Sequence, residues 1–171
     1  MSLDLSYIHL AVLGLAAALL IAAALRDANT YRIPNVVSFA LLALFPVYVL
    51  TSPQDVPWGQ HLFTFGLVLA CGFVLFAKKY AGAGDIKLLA VMGLWAGPQF
   101  LAVFLFVTAV AGGLLGLAIA ALTYRRNHLN GDKKLKTLAK TPIPYGVAIA
   151  IGGLCTLMML SHPALFSASI L

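Results

Sequence analysis

Two aspartates stand where the sequence could place a pair of acids for proton transfer. Asp27 lies just after the first apolar run, and Asp85 lies just before the fourth. Hydrolysis of a peptide bond by two carboxyl groups needs them close together, since one accepts a proton from the attacking water while the other donates to the carbonyl oxygen. Asp27 and Asp85 can meet this requirement if the two helices end on the same side of the molecule.

The residues alone leave a second interpretation open. Acids at a membrane edge commonly cap helices or pair with neighbouring cations, which here would be Arg26 for Asp27 and Lys87 for Asp85. The remaining acids are expected elsewhere, two on the opposite side and one solvated in a long basic loop: Asp4, Asp55 and Asp132.

Composition predicts a membrane protein. Of the 171 residues 62% are hydrophobic and 9% are charged, which is far too apolar for a soluble domain of this length. A helical crossing needs about 20 mainly apolar residues, so the chain has room for about six or seven spans. We expect an all-α polytopic bundle of six transmembrane helices that forms a single domain over 1–171. The predicted helices are 7–25, 34–50, 61–77, 86–97, 99–123 and 142–160.

The basic residues indicate the topology, because all of them lie in or beside three breaks between predicted helices. They are Arg26, Arg32, Lys78, Lys79, Lys87, Arg125, Arg126, Lys133, Lys134, Lys136 and Lys140. The positive-inside rule makes these breaks cytoplasmic, so the N-terminus and the tail from Ser161 onward face outward. No basic segment precedes the first apolar run, so we expect that run to remain as a span.

The excess of basic residues therefore has a membrane explanation, and no nucleic-acid partner is expected. The segment 125–140 is expected to touch anionic lipid headgroups. Cys71 and Cys155 lie in separate apolar runs without metal-ligand spacing, so neither a disulfide nor a metal site is expected. Aromatic residues near predicted helix ends, including Tyr48 and Trp95, are expected to lie at the headgroup level.

The loop before Asp85 is predicted to be unusual. The fourth helix has about 12 apolar residues, or about 18 Å, which is too short for a membrane core of about 30 Å. Either it begins below the cytoplasmic surface, or the loop carrying Gly82 and Gly84 dips to membrane depth beside protein or a wet cavity. The two glycines would permit backbone conformations closed to other residues and leave room for a substrate strand.

Three segments resemble the motifs of the bacterial type IV prepilin peptidases, the GxGD aspartic proteases. DANTYRIPN at 27–35 resembles the first aspartate motif, and GAGDIK at 82–87 resembles the GxGD motif with its following lysine. PIPYG at 142–146 is similar to the proline-containing segment that opens the family's last helix. Because the motifs occur in family order and fit the family's membrane topology, the resemblance favours catalysis over capping.

The resemblance implies an endopeptidase of the bacterial inner membrane that removes the leader peptide of a prepilin or pseudopilin at the cytoplasmic face, without a cofactor. Asp27 and Asp85 would be catalytic. The residues expected to shape the site or bind substrate are Gly82, Gly84, Lys87, Pro34, Asn35, Pro144, Tyr145 and Gly146. The substrate would carry a short basic leader, then a Gly at the cut, then an apolar stretch that enters the membrane.

Larger family members carry a cytoplasmic domain between their first helices, which is associated with methylating the new N-terminus. Only residues 26–33 separate the first two predicted helices here. The resemblance therefore implies a peptidase-only form, similar to those of Flp/Tad-type pilus systems, with no evident site for S-adenosylmethionine.

Two interpretations without proteolysis remain. A proton- or ion-coupled transporter also uses intramembrane acids, but it predicts polar groups through the full depth, and the outer half offers little beyond His9 and His61. A non-catalytic scaffold of a pilus machine would need neither aspartate. For a protease, Lys87 could contact a substrate carboxylate or only satisfy topology, and the helix dipoles favour Asp85 as base and Asp27 as acid.

Overall fold

The computed structural model describes residues 2–129 and 143–161, which form a bundle of helices. No strand occurs in these two stretches, so the prediction of an all-α protein is confirmed. The helices are α1 (Ser2–Thr30), α2 (Asn35–Thr51), α3 (Trp58–Ala77), α4 (Ala83–Leu129) and α5 (Tyr145–Ser161). The predictions for Asp132, the basic residues from Lys133 to Lys140, Pro142 and the tail beyond Ser161 lie outside the described residues.

The surface of the bundle is apolar. Three segments are long and apolar enough to cross a membrane: Leu5–Thr30, Trp58–Ala77 and Ala83–Arg126. Large hydrophobic side chains such as Phe63 and Phe106 point outward, with 73% and 69% of their surface exposed. Contiguous apolar surface of this kind belongs in lipid and not in water. The chain is therefore a multi-pass membrane protein.

The described residues form five helices, one fewer than the six predicted. The predicted helices 86–97 and 99–123 are joined in α4, which bends sharply at Gly97. The backbone there has φ 59° and ψ −178°, a conformation that glycine adopts without steric cost. The next residue, Pro98, begins the second half of the helix readily because the first turn needs no N–H donor there. The chain thus reverses direction without a separate loop.

The two arms of α4 lie side by side. Ile86 and Leu89 of the arm before Gly97 line the same cavity as Leu105 and Thr108 of the arm after it. The first arm is consequently short, and Asp85 lies near its beginning, about 18 Å along the helix axis from the bend. The short fourth helix expected from the sequence is this arm.

Small residues bring α5 against α1 and α4. A Cβ added to Gly153 would lie 2.9 Å from Leu20 Cδ1 and 3.0 Å from Met92 Cε. A Cβ added to Gly152 would meet the Thr108 hydroxyl and the carbonyl of Phe104. Close packing without voids transmits position between elements. This packing therefore fixes α1 and α4, which carry the two predicted catalytic acids, against α5, which the third motif opens.

An aromatic cluster fills the end of the bundle far from Asp27. The rings of Tyr48 and Trp95 lie 5.2 Å apart, and Phe45 lies 5.8 Å from Trp95 and 5.5 Å from His61. Trp95 Nε1 donates to the Leu41 carbonyl at 3.1 Å. Tyr48 and Trp95 are buried, so the prediction that they lie at the headgroups is wrong. Their rings instead fill the space between helices, where burial of large aromatic surface stabilises the fold.

Candidate functional site

Asp27 lies in the last turn of α1, where its side chain is almost completely buried, with 3% of its surface exposed. Its Oδ2 accepts a hydrogen bond of 2.6 Å from the backbone N–H of Gly146, in the first turn of α5. The first N–H groups of a helix have no partner inside the helix and favour an anion. The third motif therefore contributes to the site by presenting a helix N-terminus to the Asp27 carboxyl group.

Glycine at position 146 has a steric reason. A Cβ there would lie 2.8 Å from Asp27 Oδ2, 2.9 Å from Asp27 Cγ and 2.8 Å from Ile33 Cδ1. Any side chain would push the carboxyl group away from the helix end. Pro144 helps to start the helix, because its carbonyl accepts the N–H of Val147 at 3.2 Å.

Asp85 lies in the first turn of α4 and is half-buried. The backbone N–H of Gly82, just before the helix, contacts its carboxyl group. This is the arrangement of a capping box, in which an acid in the first turn reaches back to the N-cap. The alternative in which Asp85 caps a helix is thus partly right, but capping leaves carboxylate lone pairs free for chemistry.

The glycines of the GxGD motif do not adopt unusual backbone angles, and at Gly82 a side chain would crowd Asp85. Gly97 is the one described glycine with a positive φ, so the expectation of special conformations at Gly82 and Gly84 is wrong. A Cβ on Gly82 would lie 2.9 Å from Asp85 Oδ2, and one on Gly84 would lie 3.4 Å from Ile33 Cβ. Since Ile33 also lies against Gly146, it is the residue at which the three motifs meet.

The two carboxyl groups open into one cavity with a volume of about 740 Å³. Besides Asp27 and Asp85, its lining includes Gly82 and Tyr145 from the predicted site residues. The other lining residues are Tyr31, Phe76, Ala77, Lys79, Tyr80, Ala81 and Ile143. A cavity of this size is in the range of ligand sites, about 300 to 1,000 Å³. It can admit a water molecule and a peptide segment to both acids.

Asn35 and Lys87 do not line this cavity but bind each other. Lys87 Nζ donates to Asn35 Oδ1 at 3.1 Å, which links the first turn of α4 to the first residue of α2. Pro34 is the N-cap of α2 and sets the start of that helix. The pair therefore joins the two chain segments that follow Asp27 and Asp85, which is a positioning role that neither interpretation of Lys87 anticipated.

Removing this link should weaken activity moderately. We expect Asn35→Ala and Lys87→Met each to lower kcat/KM of the reaction at the two acids about fivefold, since an exposed hydrogen bond contributes about 1 kcal/mol. The double variant should be no worse than either single variant, because both remove one interaction. Lys78→Met serves as a matched control at another exposed lysine. A rise in KM for Lys87→Met alone, with Asn35→Ala unchanged, would instead indicate contact with a substrate carboxylate.

Tyr31 and Lys79 were missed by the sequence reasoning, although both line the cavity. They are the two non-glycine residues with positive φ in the described chain, 53° and 61°; Tyr31 directly follows α1, and Lys79 lies two residues after the end of α3. Tyr31 N–H donates to the Asp27 carbonyl at 2.8 Å, and Tyr80 N–H to the Leu75 carbonyl at 2.9 Å. Glycine usually occupies such positions. Without a glycine, the sequence carried no signal for these two turns.

Replacing Lys79 by glycine should stabilise the protein. A residue other than glycine in the left-handed conformation costs about 1 to 2 kcal/mol. Glycine removes this strain, but it also gives the unfolded chain more conformational entropy, which offsets part of the gain. We expect Lys79→Gly to raise the free energy of unfolding by up to about 1 kcal/mol in denaturant titrations in mixed micelles. Lys78→Gly is the control, because Lys78 has φ −82° and gains nothing from glycine. Equal destabilisation by both changes would contradict the account.

No cluster of three metal-ligating side chains occurs among residues 2–129 and 143–161. The groups that line the described cavity are two carboxyl groups, backbone N–H donors, and tyrosine and lysine side chains.

Comparison with known proteins gives consistent matches. A model of the type IV leader peptidase family matches residues 14–117. The chain is similar to a prepilin leader peptidase/N-methyltransferase of Pseudomonas aeruginosa, 33% identical over 148 residues that cover 81% of this chain and 46% of the relative. A Bacillus subtilis protein of the same name is 36% identical over 143 residues, which cover 80% of this chain and 50% of that relative. The chain thus spans about half the length of these curated relatives. No solved structure matches it.

Proposed function

Because the chain belongs to the type IV leader peptidase family, we propose that it is an aspartic endopeptidase that removes the leader peptide from prepilins or pseudopilins. The observation that carries the proposal is the shared cavity, into which Asp27 and Asp85 open from different helices. We assign these two residues the catalytic roles, and we propose that residues 1–171 form one transmembrane peptidase domain.

In the proposed mechanism one carboxylate takes a proton from water as the water oxygen attacks the peptide carbonyl carbon, while the protonated partner donates to the carbonyl oxygen. The C–N bond then breaks as the amine nitrogen takes a proton from the pair. The Gly146 N–H donates to Asp27 Oδ2, and the Val147 N–H also contacts this carboxyl group, so the start of α5 holds Asp27 in place during these steps. No cofactor enters these steps.

The roles expected from the helix dipoles, with Asp85 as the base and Asp27 as the acid, are no longer supported. It rested on Asp27 lying at a helix C-terminus, but the Asp27 carboxyl group also meets the N-terminus of α5. Both acids are therefore held by backbone N–H groups at helix starts. We propose that the pair shares one proton and acts as a unit.

We further propose that the chain lies in the bacterial inner membrane with both termini outside and the site facing the cytoplasm. The basic residues at the α1, α3 and α4 ends support this orientation through the positive-inside rule. The two arms of α4 then act as the fourth and fifth of six crossings. Arg125 and Arg126 are exposed near the end of α4, where they would meet anionic headgroups.

A prepilin of the kind that the resemblance implies fits this placement of the site. Its basic leader would lie in the cytoplasm, and its apolar stretch would enter the bundle from the membrane, so the bond after the boundary Gly reaches the two acids. Gly82, Gly84 and Tyr145 would shape the path beside them, with Pro34, Pro144 and Gly146 setting the helix starts.

Cleavage by the purified protein tests the proposal. The protein in detergent is incubated with a peptide that carries a basic leader, a Gly and an apolar stretch, and the products are identified by mass spectrometry. We expect a single cut directly after the Gly. Intact peptide, combined with proton or ion flux through proteoliposomes that contain the protein, would overturn the proposal in favour of a transporter.

A further inference from the structure

A second cavity adjoins the first and is apolar. It has a volume of about 350 Å³ and lies between α3, both arms of α4 and α5. Leu75, Leu89, Leu105, Ala109 and Ile149 form its hydrophobic wall. Four residues line both cavities: Tyr80, Ala81, Asp85 and Tyr145.

The two cavities extend in different directions from Asp85. The larger cavity reaches the helix ends at Tyr31 and Lys79, where the chain leaves the apolar bundle. The smaller one runs along the first arm of α4 toward the bend, since Leu89 lies one helical turn beyond Asp85. Ile149 likewise lies one turn beyond Tyr145 in α5. A peptide that passes Asp85 thus has the cavity with the two acids and Lys79 on one side and an apolar pocket on the other.

We propose that this apolar pocket binds a side chain of the substrate directly after the scissile bond, and that its size determines which residue is accepted there. The inference rests on the proposed function, because it takes the leader to occupy the larger cavity. An apolar substrate segment then continues into the pocket, where burial of its side chain is favourable. Asp85, at the junction, lies where the bond between the two parts would be.

The pocket should bind the side chain at one substrate position and not at two. Successive side chains of an extended peptide point to opposite sides, so either the first or the second residue after the bond enters it. A hydrophobic pocket of defined size discriminates between side chains about 10- to 200-fold. We therefore expect the ratio of kcat/KM for large and small residues to depend on the pocket lining at one of these two positions.

The test changes the volume of the pocket and measures this ratio. Prepilin peptides carry Trp or Ala at the first or at the second position after the bond, and kcat/KM is measured for each. Ala109→Phe narrows the pocket, so the Trp to Ala ratio should fall at least tenfold at one position. Leu105→Ala widens it, and the ratio at that position should rise. Ala118→Phe is the control, because Ala118 is exposed on the opposite face of the same arm and lines neither cavity.

The outcomes separate this inference from the proposed function. Absence of cleavage by the unmodified protein refutes the peptidase itself. If both pocket variants cleave with a Trp to Ala ratio of kcat/KM within twofold of the unmodified protein's, the proposed role of the pocket is wrong and the peptidase assignment stands. A ratio that changes only when the residue before the bond is varied also overturns it. If Ala109→Phe is inactive on every peptide, Leu105→Ala decides the question.

Discussion

Asp27→Asn and Asp85→Asn should each lower kcat/KM for prepilin peptide cleavage by about 10⁴-fold or more, as loss of one member of a catalytic pair does in other proteases. An amide cannot accept the proton from water or share a proton with its partner. The change preserves side-chain volume, so the bundle should keep its fold. The loss is expected in kcat, measured by single-turnover cleavage at saturating peptide.

Asp55→Asn is the matched control. Asp55 is exposed between α2 and α3 and lines neither cavity, so the same chemical change there should leave cleavage within twofold. An Asp27→Asn or Asp85→Asn protein that elutes as the unmodified one does and retains cleavage within tenfold would exclude that residue from catalysis.

Gly146→Ala should have the second largest effect, about a 100-fold loss of kcat, because a displacement of about 1 Å of a catalytic group costs that much. The added Cβ would lie 2.8 Å from Asp27 Oδ2, so the carboxyl group must move from the N-terminus of α5. Gly146 does not react itself and acts through Asp27. KM should therefore change little while kcat falls, and the folded fraction is measured separately, because partial unfolding would lower the apparent kcat in the same way.

Gly113→Ala provides the control for the helix-propensity effect of the same substitution. Nothing lies within 4 Å of a Cβ at Gly113, in the second arm of α4, so alanine there should be tolerated or slightly stabilising. Retention of kcat within threefold by Gly146→Ala would show that the contact with α5 does not position Asp27.

Much of the site could be predicted because its acids stand at helix ends. Hydropathy placed Asp27 and Asp85 at ends that face the same side, and the structure brings them to one cavity. The contact of Asp27 with Gly146 could not be predicted in the same way. It joins residues far apart in the chain, and the pattern around Gly146 indicates only a helix start.

The fold was predictable where hydropathy alone decides it and less so where packing does. The helical segments were expected, and Gly97 and Pro98, which were taken for a boundary between helices, form the sharp bend that separates the two arms of α4. Tyr48 and Trp95 were placed at the headgroups from their position near helix ends. They are buried because the short first arm of α4 brings the Trp95 ring against α2.

The central claim is that two acids act together on one bond, and a double-mutant comparison tests it most directly. Residual cleavage is measured over long single-turnover incubations for the unmodified protein, Asp27→Asn, Asp85→Asn and the double variant. The account predicts that the double variant is no less active than either single one, because each change already disables the pair. A double variant whose loss equals the product of the two single losses would contradict it, since the acids would then act independently.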